Sequence, residues 1–210
     1  MTEITRSTAE ILREAEAALE TGRFGLEDLL QSDGGRRLAG LRNVVVWGRA
    51  FTNILQNLRS TEPTFDGWYA PIVAEMRNDL LLHFFYELRT TLLKKGGTPT
   101  SISLHIKEFN FPGDMARFGP PPPNAKGFFM SDQTGGCGWE VVLPDGSTDK
   151  YYVDLPADIG TVDLMMQGAP RQHLGKELPD TSVVRMATAY IHYFDRVLER
   201  AKERFATPAV

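Results

Sequence analysis

The chain has a single cysteine, Cys137, among its 210 residues. A lone thiol excludes a disulfide framework within one chain and a cysteine-built zinc or iron–sulfur centre. Positive charge is not in excess either: 23 Lys and Arg stand against 27 Asp and Glu, for a formal net charge of −4. Such a surface is not drawn as a whole to nucleic acid or anionic membrane, so contact with either would need a local basic patch. No run of about 18 or more apolar residues occurs, so no membrane-spanning helix is expected. The opening "MTEITRSTAEILREAEAALE" has no apolar stretch of signal-peptide type. The expectation is a soluble, cytoplasmic protein without a membrane partner. The phosphate loops GxxxxGK[ST] and GxGxxG are missing, and no cofactor is expected.

Hydrophobic residues make up 42% of the chain, enough for a substantial core. Their spacing changes twice. Ile11, Ala15, Ala18 and Leu19 recur at helical intervals over 7–20, and Gly22 in "TGRFG" reads as a C-terminal cap. "LEDLLQS" reads as a further short helical segment, and "DGG" at 33–35 as a break. A second helix is predicted over 36–59 from Leu38, Leu41, Val45, Phe51, Leu55 and Leu58. Gly48 inside it is a place for a close helix crossing. A third runs from a short turn at 65–69 through a main helix starting at Pro71, and ends at "KKGG". A last helix covers "SVVRMATAYIHYFDRVLERAKERF". Between the third and last helices the period becomes two. Ile102, Leu104 and Ile106 alternate with polar residues, and "GFFMSD", "GWEVVLP" and "TDKYYVDLP" are further strands, with "PDGS" as a turn. The predicted fold is α+β: one domain over 1–210, mainly a helical bundle, interrupted at 98–158 by a small antiparallel β-sheet insertion.

The most suggestive chemistry lies in "EMRNDLLLHFFYELRTTLLKKGG", residues 75–97. Read as one continuous helix at about 100° per residue, Arg77 and His83 both touch the apolar sector but stand about 120° apart. Arg77 can stabilise negative charge on a phosphate, Asn78 can orient a neighbour, and His83 can take and give a proton. RNA cleavage needs no metal if the ribose 2′-oxygen attacks the adjoining phosphate, and these residue types suit that step. The same residues also have ordinary packing roles: an ion pair for Arg77 and a buried hydrogen bond for His83.

The run "RNDLLLH" resembles the HEPN family, helical domains that include many dimeric, metal-independent ribonucleases. The family motif is an Arg, often followed by a polar residue, with a His a few positions on. The resemblance implies charge stabilisation by Arg77, positioning by Asn78 and proton transfer by His83, in a site shared between two copies, with single-stranded RNA as substrate. In an alternative register, "RTTLLKK", Arg89 is followed by lysine where the motif has histidine.

Other candidates compete. Glu75, Asp79, His83 and Glu87 follow each other at four-residue intervals and could line up as ligands on one helix face, although no second Glu-x-x-His supplies an opposite wall. No metal site is assigned. Cys137 sits among glycines in "TGGCGW", without the surroundings of a catalytic thiol. "FNFPGDMARFGPPPPNAKGFF" is rich in Phe and Pro. It reads as an irregular segment that either binds a protein partner or is pinned by Phe109, Phe111 and Phe118. The leading expectation is a noncatalytic helical interaction or assembly module, forming a homodimer through the apolar perimeter of "LLLHFF". The alternatives are the HEPN-like endoribonuclease, in a toxin or antiviral system, and a helical enzyme binding a metal or small molecule.

Overall fold

The computed structural model describes residues 6–30, 34–132 and 136–206. Asp33 of the expected "DGG" break and Gly135 of the glycine cluster before Cys137 lie outside them. The chain is α+β, a helical bundle interrupted in sequence by small antiparallel sheets. It divides into a helical unit, Met1–Pro99 with Met166–Val210, and a β-rich unit, Thr100–Met165.

The helical unit opens with α1, Thr8–Leu29. Ser7 caps it, and the Glu10 side chain reaches back to the Ser7 backbone, a reciprocal capping box. The helix does not stop at "TGRFG". It continues through Gly22 and Gly25, because both glycines face neighbours and not solvent. A Cβ on Gly25 would lie 2.6 Å from the Gly40 carbonyl oxygen of α2 (Gly34–Leu55), and one on Gly40 would lie 2.5 Å from the Gly25 oxygen. The two helices therefore touch backbone to backbone. Gly48 instead makes room for a side chain of α5 (Val183–Phe205): an added Cβ would meet the Tyr190 ring at 2.4 Å. The helical reading of "VVV" holds, with Val44 and Val45 fully buried. The last expected turn of α2 tightens into a 3-10 helix, Gln56–Ser60.

The predicted third helix is two helices. α3 spans Phe65–Asn78, beginning ahead of Pro71 and carrying that proline inside. α4 spans Leu80–Lys95 and ends at Gly96, which takes the left-handed conformation (φ 72°) and donates its N–H to Leu92 O. Asp79 stands between them with extended ψ (126°). The core joins Ile11 and Leu19 of α1, Phe51 and Leu55 of α2, Phe85 of α4 and Ile191 and Val197 of α5, all buried. Each such side chain contributes about 1.5–3 kcal/mol. Phe85 stacks on Tyr190 at 4.2 Å and Phe51 packs on Phe194 at 5.4 Å.

In the β-rich unit, β1 (Thr100–Ile106) pairs with β5 (Gly160–Met166), while β2 (Ala125–Met130), β3 (Cys137–Val142) and β4 (Thr148–Val153) form an antiparallel meander. The "PDGS" turn joins β3 to β4 with Gly146 at φ 82°. β5 lies past the expected boundary at 158. The Phe/Pro segment holds a 3-10 helix, Gly113–Phe118, where sequence suggested only irregular chain. Phe118 is buried with Cys137 and Ile159, Phe109 packs against that cluster, and Phe111 is 75% exposed. In the helical unit, β6 (Gln172–His173) and β7 (Lys176–Glu177) make a minimal hairpin ahead of α5.

Candidate functional site

Asp79 decides how the suggestive stretch is arranged. Its carboxylate is buried and caps α4, with Oδ1 accepting from Leu82 N at 2.8 Å. The same Oδ1 lies 3.0 Å from His173 Nδ1, and Oδ2 accepts from Leu174 N at 2.6 Å. A carboxylate only accepts, so Nδ1 carries the proton of this contact, leaving a buried Nε2 with no partner among the described residues. The hairpin turn below, Leu174-Gly175, has positive φ at both residues (48° and 74°), the pattern of a type I′ turn.

With the helix broken at Asp79, the angular separation expected for one continuous helix no longer applies. Arg77 at the end of α3 and His83 in the first turns of α4 line the same cavity, of about 420 Å³. Asn78 instead lines a shallow depression beside Glu75, Asp79 and the hairpin. The structure thus brings two of the three expected residues together and places the third elsewhere.

Sequence reasoning missed the rest of the lining. Arg49, Thr52 and Gln56 enter from α2 and the turn after it, Tyr69 from α3, Tyr86 from α4, and Tyr190 and Phe194 from α5. Thr52 ties Arg49 to its own turn: the Thr52 hydroxyl accepts from Arg49 Nη1 at 3.0 Å and donates to Arg49 O at 2.8 Å. The Arg49 guanidinium lies over the Tyr86 ring at 5.6 Å, and Tyr86 stacks with His83 at 6.3 Å. Tyr86 therefore links the second arginine to the histidine. Arg49, Thr52 and Gln56 recur at three- and four-residue intervals, but α2 also carries Arg42, Asn43 and Asn53, so the spacing does not single them out.

The cavity is cationic at its rim and apolar at its base. Arg77 and His83 are exposed, whereas Thr52, Tyr69, Leu82, Tyr190 and Phe194 are buried. The lining contains no carboxylate, and among the described residues neither Arg49 nor Arg77 forms an ion pair. Burial pushes the Tyr69 and Tyr190 phenols above their ordinary range, so both are neutral donors at physiological pH. The Tyr69 hydroxyl is buried and has no hydrogen-bond partner among the described residues.

The other candidates come apart. Glu75 accepts a hydrogen bond from Tyr193 at 3.0 Å and Asp79 is committed to its cap and hairpin. Among the described residues no group of three or more His, Cys, Asp or Glu is placed to hold a metal ion. Cys137 is buried on β3, its thiol raised by burial and directed to Val153 O at 3.4 Å. No helix among the described residues is long and apolar enough to cross a membrane.

No protein-family model, curated protein or solved structure matches the chain.

Proposed function

We propose that the helical unit binds a phosphate-bearing small molecule in the Arg49–Arg77–His83 cavity. The supporting observation is that two guanidiniums without carboxylate partners among the described residues, and one imidazole, from three helices, line one cavity whose lining has no acidic group. A guanidinium presents paired donors that match phosphate oxygens. The buried aromatic and apolar base suits a planar group attached to that phosphate. Adenosine 5′-monophosphate joins the two features and is the probe of choice. Calorimetric titration at low salt is expected to give one saturable site, weakened by added salt. Arg77→Gln should reduce affinity about tenfold, or ~1.4 kcal/mol. No binding, or equal affinity in the folded variant, removes this reading.

A second reading is metal-independent RNA cleavage, favoured by Arg77 and His83 lining one cavity. The ribose 2′-oxygen would attack the adjoining phosphate and release the 5′-oxygen, giving a cyclic phosphate. His83 would move a proton, with Arg77 on the non-bridging oxygens. Tyr86 and Leu93 stand exposed on one side of α4 and offer a face for the second copy this reading expects. Cleavage of single-stranded RNA in the presence of chelator, lost in a folded His83→Ala protein, would support it. Equal cleavage by that variant would sink it. Light scattering over a concentration series tests the second copy.

A further inference from the structure

We infer that Asp79 and His173 are positioning residues for the cavity: their contact fixes the elbow between α3 and α4 and so sets where Arg77 and His83 stand. The functional meaning of this rests on the binding reading of the cavity; the geometry does not.

Arg77 and His83 belong to different helices, and the joint between them is one residue. Both helices grip its backbone, since Asp79 N–H donates to Glu75 O at 2.9 Å and Asp79 O accepts from His83 N–H at 3.0 Å. The angle between the helices therefore turns on the dihedrals of Asp79. Capping α4 alone needs one side-chain oxygen, which serine supplies as well as aspartate. Asp79 does more: its remaining capacity goes to His173 Nδ1 and Leu174 N, groups on the hairpin nearly a hundred residues away.

That hairpin is anchored in turn. The His173 ring meets Tyr193 of α5 edge-on, with centroids 6.2 Å apart. The Tyr193 hydroxyl donates to Glu75 Oε2 at 3.0 Å, one turn before the elbow on α3. Elbow, hairpin, α5 and α3 thus close a circuit around the joint. Leu174 holds the positive φ that the two-residue turn of the hairpin requires at its first position. In that conformation its N–H points at Asp79.

Three variants separate positioning from stability. Asp79→Ser keeps a capping oxygen but is too short to reach the hairpin. His173→Ala removes the imidazole, and His173→Asn returns an amide donor near the place of Nδ1. Ile11→Val, in α1 and outside the cavity lining, is a destabilising control. The readouts are the Arg77 Nε and His83 ring resonances in the unliganded protein, and adenosine 5′-monophosphate affinity, both at a temperature where circular dichroism shows each variant folded. Asp79→Ser and His173→Ala are expected to move both resonances and weaken binding about tenfold. His173→Asn is expected to restore them toward wild type, and Ile11→Val to leave them unchanged. Should Asp79→Ser fail to fold, His173→Ala decides alone. Unmoved Arg77 and His83 resonances in folded His173→Ala would overturn the inference. Moved resonances in a protein whose wild type takes up no adenosine 5′-monophosphate would keep the positioning role and remove the binding reading.

Discussion

His173 Nδ1 lies 3.0 Å from Asp79 Oδ1, joining a two-residue strand to the start of a helix 94 positions earlier. Among the described residues Asp79 is the one charged residue that is buried, and all three of its side-chain partners are donors. Truncation would leave a helix N-terminus uncapped and the hairpin donors unpaired. Asp79→Ala is therefore expected to cost roughly 2–4 kcal/mol. Asp79→Ser, which retains the cap, should cost about 1 kcal/mol less. Urea unfolding with an unchanged m-value measures both. Equal losses would mean that the cap contributes nothing.

The α1–α2 contact makes a second prediction. Gly25→Ala places a methyl group 2.6 Å from a backbone carbonyl that cannot swing aside, so it should destabilise by about 1–3 kcal/mol despite alanine's better helix propensity. Gly67 in α3 has nothing within 4 Å of an added Cβ. Gly67→Ala should stabilise by roughly 0.5–1 kcal/mol. Thermal melts of the two variants should move in opposite directions.

Much of the bundle was legible because burial follows the helical period: Leu41, Val45, Phe51 and Leu55 on α2 and Val183, Met186, Tyr190 and Val197 on α5 are the buried residues the spacing marks. Glycine misled at α1, since a stop and a close contact look alike along a sequence. Gly25 is explained only by Gly40, which lies on another helix. The elbow was hidden for a similar reason. Asp79 in "RNDLLLH" is a capping residue type followed by apolar residues, yet the run on both sides reads as one helix, and the contact that occupies its carboxylate comes from His173. Arg77 and His83 could be named from the local motif. Arg49 and Tyr86, which share their cavity, have no local signal that ties them to it. The sequence alone therefore favoured an interaction module, and the cavity shifts the proposal to ligand binding.

Alkaline pH should unfold the helical unit through its buried phenols. Burial raises the Tyr190 phenol well above its ordinary range; burial and then the Glu75 carboxylate do the same for Tyr193. Below an unfolded value of about 10 both states are neutral and the contribution is intact. Above it the unfolded chain loses a proton that the folded chain keeps, so stability falls as pH rises. For Tyr190 the slope approaches about 1.4 kcal/mol per pH unit. Urea midpoints between about pH 9 and pH 11 should drop less steeply in Tyr190→Phe than in wild type. Parallel curves would contradict the assignment.

The most direct measurement follows the side-chain resonances of Arg49, Arg77 and His83 while adenosine 5′-monophosphate is added to the wild-type protein. Arg185, which pairs with Asp180 outside the cavity lining, serves as reference. Binding in the cavity predicts that the three resonances move together along one saturating curve while Arg185 stays in place. Arg49, Arg77 and His83 remaining at their unliganded positions, or every arginine drifting alike, would contradict it.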